Sequence, residues 1–249
     1  MRIAVVGGTG LVGQHTTKAL AVAGHESIII ARSAGVDVYT GTGLDAALAG
    51  ADAVIDVTST PETDPAKTKD FFATTTSKLL DAEKRAGIGH HVLLSIVGVD
   101  RVHSNGHYVG KQAQEQLVQD GPVPWTIQRA TQFFDFAATV VSWSLNDGAA
   151  AIPPLLVQPV AVSDVAKVLV ELAAGAPQGR ATDLAGPETQ DLVDMARRTL
   201  AARGDSTRLI PTWQAGPLNV EMAGEVLLPG SDVRLGETRF EDWLGNPES

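Results

Sequence analysis

The first apolar run of this chain breaks into glycines and then continues as a helical pattern. Residues 3–13 read Ile-Ala-Val-Val-Gly-Gly-Thr-Gly-Leu-Val-Gly. Glycines at such a junction permit a tight turn, let a ligand approach the backbone, and let the helix pack closely on the strand. Because the turn leads into a helix N-terminus, whose free amide hydrogens attract anions, the segment predicts a turn that binds a pyrophosphate.

The glycine spacing alone is a weak signal, since it fits both Gly8-x-Gly10-x-x-Gly13 and Gly7-x-x-Gly10-x-x-Gly13. Its position between a first strand and a first helix favours a dinucleotide-binding turn over an ordinary glycine-rich one. The residues of this turn that are predicted to bind a cofactor are Gly7, Thr9, Gly10, Leu11, Val12 and Gly13.

The pattern up to residue 130 alternates short β-branched runs with longer helical segments. Strands are predicted at 3–6, 27–31, 36–39, 53–57, 91–95 and 125–129, and helices at 11–23, 44–49, 65–86 and 108–119. Apolar strands that alternate with helices are typical of a parallel sheet covered on both faces. We therefore expect an α/β fold with a Rossmann-type, doubly wound parallel sheet.

Arg32 and Ser33 directly follow the second predicted strand, where folds that bind NAD commonly carry an acidic residue. A carboxylate there would repel a 2'-phosphate, whereas a guanidinium can pair with it through two hydrogen bonds and stack on the adenine. The sequence therefore predicts NADP(H) as the cofactor, bound in part by Arg32 and Ser33. A solvated surface arginine is the alternative.

The regular alternation of strands and helices ends at about Thr131. Beyond it, helices are predicted at 133–145, 164–174 and 190–203, and a strand at 158–162. No low-complexity linker separates the two parts. We expect residues 1–249 to form a single NAD(P)-binding Rossmann domain. Within it, residues 131–249 are expected to include a smaller C-terminal substrate-side lobe packed on the sheet.

Composition narrows the range of partners. The chain has 29 acidic and 19 basic residues, a formal net charge of −10, six histidines and no cysteine. This charge repels nucleic acid backbones, and the scattered histidines give no sign of a metal site. No stretch approaches the roughly 18 apolar residues of a membrane helix. We expect a cytoplasmic protein that acts on a small molecule, without a nucleic acid, membrane or metal partner.

Several further segments follow the glycine turn in a recognisable order. They are Ala31-Arg-Ser33, Leu93-Leu-Ser-Ile-Val-Gly98, Lys111, and Trp125-Thr-Ile-Gln-Arg-Ala-Thr-Gln-Phe-Phe134. With the glycine turn, this set resembles the short-chain dehydrogenase/reductase superfamily, specifically its atypical NmrA-like branch of NAD(P)-binding proteins. The resemblance covers most of the chain and implies a nicotinamide cofactor.

The resemblance also implies a catalytic helix, from which this chain departs. In the superfamily, a tyrosine four residues before a lysine protonates the developing alkoxide, and the lysine lowers the pKa of that tyrosine while binding the nicotinamide ribose. Here His107 lies four residues before Lys111, and Tyr108 lies three before it, turned by about 100° around the helix. The proton donor stays open between His107, Tyr108, Lys111 and water.

Further site residues follow from the resemblance and from their places at strand ends. The cofactor positions so implied are Val57, Thr58 and Ser59 at the ribose, Thr42 near the adenine, and Thr131 and Phe133 beside the nicotinamide. For Phe133, a core residue is the alternative. Ser95 ends a predicted parallel strand and is expected to donate a hydrogen bond to the substrate, with a buried, satisfied serine as the alternative.

The leading hypothesis is an NADPH-dependent reductase that transfers hydride to a carbonyl, quinone or related unsaturated small molecule. A non-catalytic NADP(H) sensor that acts through a protein partner is the main alternative, because the usual tyrosine is missing. A nucleotide-sugar epimerase or dehydratase is a third, which the missing tyrosine weakens. By analogy alone, the helix at 65–86 is a possible homodimer interface.

Overall fold

The computed structural model describes residues 1–214 and 216–246. The strands are β1 (Arg2–Val6), β2 (Glu26–Ile30), β3 (Ala53–Asp56), β4 (His90–Ile96), β5 (Trp125–Ala130), β6 (Ala149–Ile152), β7 (Leu156–Val157), β8 (Gly179–Arg180), β9 (Asp183–Ala185), β10 (Gln190–Asp191), β11 (Arg208–Pro211) and β12 (Val233–Leu235). The α-helices are α1 (Leu11–Val22), α2 (Leu44–Leu48), α3 (Pro65–Ala86), α4 (Gly106–Asp120), α5 (Phe136–Ser144), α6 (Val162–Ala174), α7 (Leu192–Ala202) and α8 (Phe240–Gly245).

These elements form two compact units. The first consists of Met1–Arg129 and Val162–Thr182, and the second of Ala130–Ala161 and the described chain from Asp183 onward. Residues 162–182, which lie within the range expected to include the smaller C-terminal lobe, belong to the first unit. The single-domain organisation stays a prediction.

A parallel sheet organises the first unit. Its strand order is β2-β1-β3-β4-β5, and β8 pairs with β5. β1 pairs in parallel with β2 and β3, so that Val5 lies between Ile29 and Ile55. The chain moves from β1 to one side of the sheet and then, with β3, to the other. This reversal is the topological switch point, where doubly wound folds bind their ligands. The structure confirms the predicted Rossmann-type sheet.

Two groups of helices pack on this sheet. α1 contacts α6, while α3 contacts both α2 and α4. An apolar cluster joins the strands to α2, α3 and α4, and its buried residues include Val6, Leu48, Val54, Leu79, Leu93 and Ile127. Burial of these side chains fixes the helices against the sheet and leaves the carboxyl ends of the strands to carry polar groups.

The strand predicted at 36–39 is absent, and this prediction is wrong. Glycines with left-handed backbone angles flank the segment, at Gly35 (φ 79°) and Gly43 (φ 78°). Within it, the Asp37 carboxylate accepts a hydrogen bond from the amide of Tyr39 at 2.8 Å. The segment forms a turn despite its β-branched residues, because the glycines permit the turn and the Asp37 side chain satisfies a backbone amide without a neighbouring strand.

The second unit is built from short strand pairs and an aromatic cluster. β6 pairs with β11 in parallel, β7 with β10 antiparallel, and β9 with β12 in parallel. The rings of Phe134, Phe240 and Trp243 pack at centroid distances of 5.3–5.8 Å. The strand predicted at 158–162 is also wrong, because β7 ends before Pro159, which has no amide hydrogen to donate to a strand partner.

Gly110 permits the close packing of α3 against α4. A Cβ added at Gly110 would lie 2.5 Å from Cδ2 of Phe72 and 2.7 Å from Cγ2 of Thr68. We expect Gly110→Ala to lower the free energy of unfolding in urea by about 1–3 kcal/mol, because the two helices must separate to admit the methyl group.

The matched control is Gly245→Ala in α8, where an added Cβ meets no atom within 4 Å. This variant is expected to be neutral or slightly stabilising. Equal losses in the two variants would contradict the steric role of Gly110.

Candidate cofactor and catalytic site

The glycine turn after β1 has no room for larger side chains. A Cβ on Gly13 would lie 2.3 Å from the carbonyl oxygen of Gly7 and 2.5 Å from Cα of Gly8. Gly7 has a left-handed φ of 81°, and its amide donates to the carbonyl of Ile30 at 3.0 Å. The glycines therefore let α1 begin directly against the end of β1, as the sequence predicts.

The N-terminus of α1 is open to a ligand. Gly10 is its N-cap, no side chain caps the helix, and its first turn carries no acidic residue. Thr9, Gly10 and Leu11 are exposed. Because the first amides of an α-helix have no acceptor within the helix, those of Leu11, Val12 and Gly13 can bind an anion.

The carboxyl end of β3 lies beside this turn. The amide of Val57 donates to the carbonyl of Val6 at 3.0 Å, and a Cβ on Gly7 would lie 3.0 Å from the Val57 carbonyl oxygen. Thr58 is buried and Ser59 is exposed. The structure therefore brings the predicted ribose contacts at 57–59 next to the predicted pyrophosphate turn.

The residues predicted to recognise the adenosine half follow β2. Arg32 begins a 3-10 turn at Arg32–Ala34, and both Arg32 and Ser33 are exposed. Within the described residues, the Arg32 side chain has no hydrogen bond or ion pair. Thr42 is exposed, and its hydroxyl lies 2.8 Å from that of Thr40. Arg32 is thus a cation available to an anionic ligand.

A cavity of about 540 Å³ lies between the β2–α2 connection and the start of α3, and sequence reasoning missed it. It is lined by Tyr39, Thr60, Glu62, Ala66, Lys67, Asp70 and Phe71. The Tyr39 ring stacks on that of Phe71 at 6.1 Å, and its hydroxyl donates to Asp70 at 2.9 Å. The Asp70 bond raises the pKa of Tyr39. Tyr39 lay in a mispredicted strand, so only the placement of α3 reveals this pocket.

Lys111 lies in the interior of the first unit. Its ammonium donates to the carbonyl of Leu94 at 2.9 Å, to that of Thr58 at 3.2 Å, and to Oε1 of Gln114 at 2.8 Å. The ammonium also lies 4.9 Å from the centroid of the Phe72 ring. All three ammonium hydrogens therefore have acceptors in this structure.

Burial lowers the pKa of Lys111 to about 8, although the nearby carboxylates of Asp56 and Glu115 raise it. Glu115 also forms a two-bond ion pair with Arg129, at 2.7 and 2.8 Å. This ion pair joins α4 to β5. Lys111 is therefore largely protonated at neutral pH, and the helix that carries it is firmly anchored.

His107 and Tyr108 occupy the first turn of α4. The Asn105 side chain accepts hydrogen bonds from both amides, at 3.0 and 3.3 Å. The His107 ring packs edge-on against Phe72 at 5.7 Å, and Tyr108 is 8% exposed. Burial and then the charge of Lys111 lower the pKa of His107 to about 4. His107 is therefore uncharged at neutral pH and is not poised to act as a general acid there.

Ser95 lies on β4 and is 3% exposed. Its hydroxyl oxygen has no hydrogen-bond partner among the described residues. The serine is thus buried but not satisfied, which differs from the alternative of a satisfied core serine. An unpaired buried hydroxyl is unfavourable, so a ligand that bonds to it would relieve this cost.

The predicted nicotinamide residues belong to the second unit. The Thr131 hydroxyl donates to the carbonyl of Gln158 at 2.6 Å, and Phe133 forms an isolated bridge with Val160. Between them, Gln132 is 9% exposed and both polar atoms of its amide lack partners. Contact of Thr131 and Phe133 with a nicotinamide stays a prediction. No function was predicted for Gln132 from the sequence.

Two groups of features are absent from residues 1–214 and 216–246. No helix there is long and apolar enough to cross a membrane. No cluster of three potential metal-binding side chains occurs in the same residues.

Comparison with known proteins identifies the family. Residues 7–175 match the model of a family described as NAD(P)H-binding. The match covers more than half of the chain, from the glycine turn through α6, and the protein belongs to this family. No curated protein matches the chain.

Solved structures share the fold at low identity. A UDP-N-acetylglucosamine 4-epimerase from Bacillus cereus is 19% identical, with a TM-score of 0.67, over 85% of each chain. MoeE5, solved with UDP-glucuronic acid and NAD, is 16% identical, with a TM-score of 0.75, over 98% of this chain and 97% of that chain. A dTDP-4-dehydrorhamnose reductase from Clostridium acetobutylicum is 14% identical, with a TM-score of 0.68, over 96% and 91%.

These comparisons confirm the predicted superfamily resemblance at the level of an NAD(P)-binding, oxidoreductase-like fold. The NmrA-like branch and the preference for NADP(H) stay predictions.

The partly buried His107 is expected to make stability depend on pH. Its pKa of about 4 in the folded protein lies below the ordinary value of 6.5. Between pH 6.5 and about pH 4, His107 binds a proton in the unfolded chain but not in the folded protein. The stability that this difference contributes is complete above pH 6.5 and is lost as the pH falls towards about 4. Replacement by His107→Gln should reduce the loss of unfolding free energy between pH 7 and about pH 4.5 by about 2 kcal/mol.

Urea unfolding at both pH values measures this difference. His103→Gln, which alters an exposed histidine of the β4–α4 connection, is the control and should keep the pH dependence of the unsubstituted protein. The same pH dependence in the His107→Gln variant would contradict the lowered pKa of His107.

Proposed function

We propose that this protein is an NADPH-dependent reductase that transfers hydride to a carbonyl, quinone or related unsaturated small molecule. The observation that carries the proposal is the glycine turn, where an added Cβ on Gly13 would occupy space within 2.3 Å of the backbone at the uncapped start of α1. Such a turn serves a ligand that needs close backbone approach and carries negative charge, as a dinucleotide pyrophosphate does.

The residues present fit such a cofactor. The amides of Leu11, Val12 and Gly13 would hold the pyrophosphate, and the backbone at 57–59 would contact a ribose. The bound cofactor would supply the hydride. The chain's own contribution is then to orient the reactants and to supply local positive charge within a protein of net charge −10.

Arg32 supports the choice of NADPH over NADH. It lies two residues after the end of β2, is exposed, and occupies the place at which NAD-binding folds commonly carry a carboxylate. A 2'-phosphate would give this arginine a partner through charge-assisted hydrogen bonds. Tyr39, on the connection that follows Arg32, stacks on Phe71 of α3 and forms an aromatic surface.

The groups that could supply a proton differ from the usual tyrosine. His107 is uncharged at neutral pH, whereas the pKa of Lys111, near 8, brings that ammonium close to the range in which proton transfer is efficient. The buried, unpaired hydroxyl of Ser95 offers a hydrogen bond to a substrate oxygen. We therefore favour Lys111 or water over His107 as the proton source.

A non-catalytic NADP(H) sensor is the second candidate. Two observations favour it: His107 stands where the superfamily has its tyrosine, and each Lys111 hydrogen already has an acceptor within the protein. The names of the fold neighbours also keep a nucleotide-sugar epimerase or dehydratase open, although such chemistry again requires a proton-transfer residue.

Cofactor preference tests the first step of the proposal. Calorimetric titration should show NADPH binding at least about tenfold more tightly than NADH, a difference of about 1.4 kcal/mol. Arg32→Ala should abolish this difference by weakening NADPH alone. Arg203→Ala, which removes an exposed arginine after α7, is the control and should leave both affinities unchanged. Equal affinities in the unsubstituted protein would contradict the NADPH assignment.

Turnover separates the candidate functions. A reductase should oxidise NADPH steadily with at least one member of a panel of quinones and aldehydes, followed by the loss of absorbance of the reduced nicotinamide. Binding of NADPH without turnover by any of them favours the sensor. Conversion of UDP-sugars without net consumption of cofactor would identify the protein as an epimerase or dehydratase and contradict the assignment as a reductase.

A further inference from the structure

A closed ring of polar groups lies beneath the carboxyl ends of β3 and β4. Gln114 is fully buried, and Asp56 and Lys111 are 1% and 5% exposed. The Gln114 amide accepts from the Lys111 ammonium at 2.8 Å and donates to Asp56 Oδ2 at 2.9 Å. Asp56 Oδ1 accepts from the amide of Thr58 at 2.8 Å, and the Thr58 carbonyl accepts from Lys111 at 3.2 Å.

The chemistry of the partners fixes the direction of each bond. An ammonium can only donate and an ionised carboxylate can only accept, so the Gln114 amide has one orientation that satisfies both. A leucine would fill the space of Gln114 without bonding either neighbour. The ring is therefore specific to an amide between a cation and an anion.

The two carboxylates near Lys111 differ in whether another cation already binds them. Glu115 accepts hydrogen bonds from Nε and Nη2 of Arg129. Asp56 has no cation bonded directly to it among the described residues, and reaches Lys111 through Gln114. Asp56 is therefore the carboxylate whose charge most directly offsets the burial of the Lys111 ammonium.

We propose that Gln114 and Asp56 are positioning residues, which hold the Lys111 ammonium between the ends of β3 and β4 and fix it against the Thr58 carbonyl. The placement of the Lys111 ammonium is supported by its hydrogen bonds to Thr58 and Gln114. The effect of this placement on turnover rests on the proposed function, since Thr58 belongs to the segment that would contact the cofactor ribose. A structural role alone would stabilise the fold but would leave the proton equilibrium of Lys111 unaltered.

The pKa of Lys111 in the free protein is the readout that distinguishes these roles, and it needs no cofactor. Asp56 on β3 and Glu115 on α4 raise this pKa, while His107 on α4 and His91 on β4 also interact with Lys111. α3 presents the uncharged Phe72 to the ammonium, and its buried Glu83 interacts with Asp56 and is hydrogen-bonded to His91. Loss of the Asp56 carboxylate or of the Gln114 bridge removes an interaction that favours the charged form of Lys111. The pKa of Lys111 should therefore fall from about 8 to a lower value.

The experiment is a pH titration by NMR of protein labelled with ¹³C at the lysine ε-carbon, with the Lys111 signal assigned by its absence from Lys111→Met. Asp56→Asn and Gln114→Leu should each lower the pKa of Lys111 by about one unit. Gln116→Leu makes the same change on an exposed position of α4, where the side chain bonds only Asp120 among the contacts described, and should leave this pKa unchanged.

Folding is checked for each variant by urea unfolding. If Gln114→Leu fails to fold, the near-isosteric Asp56→Asn decides the question alone. An unaltered pKa of Lys111 in the folded variants would overturn the proposal, whether or not the protein proves to be a reductase. If it is a reductase, the same shift should appear in the pH profile of kcat in Asp56→Asn, and be absent from that of Gln116→Leu.

Discussion

The close approach of α1 to the end of β1 is the constraint on which the rest of the site depends. Gly13 makes it possible, because any side chain there would overlap the backbone of Gly7 and Gly8. The approach directs the first amides of α1 outward at the point where the sheet reverses its winding. Gly7 adds a second condition, because a Cβ there would lie 3.0 Å from the Val57 carbonyl oxygen. The missing side chains of Gly7 and Gly13 thus bring an uncapped helix end, which can bind an anion, next to the carboxyl edge of the sheet.

The second constraint is a charge in the interior. Burying the Lys111 ammonium is unfavourable unless hydrogen bonds and opposite charges compensate it. The first unit supplies both, through the carbonyls of Leu94 and Thr58, the Gln114 amide and the Asp56 carboxylate. The burial of His107 itself, and then the charge of Lys111, lower the pKa of His107. The site therefore differs from a tyrosine-lysine pair in its acid-base chemistry as well as in its sequence.

Local signals made much of the fold predictable. The helix at 65–86 was predicted with its observed bounds, because Asp64 caps it, Pro65 begins it and Gly87 ends it with a left-handed backbone. The segment at 36–39 was mispredicted, since its turn depends on glycine angles that β propensity does not express. The glycine turn and Arg32 could be found from spacing, whereas Lys111 was implied only by the resemblance to the superfamily. The Gln114 bridge and the Tyr39 pocket could not, because they join residues far apart in sequence through the packing of α3, α4 and the sheet.

We propose that the glycine turn binds the pyrophosphate of NADPH, and a crystal structure of the protein grown with NADPH would test this proposal. Pyrophosphate oxygens are expected within hydrogen-bond distance of the first amides of α1, with the 2'-phosphate against Arg32. Electron density for the cofactor at another place, or none at the turn despite saturating NADPH, would contradict it.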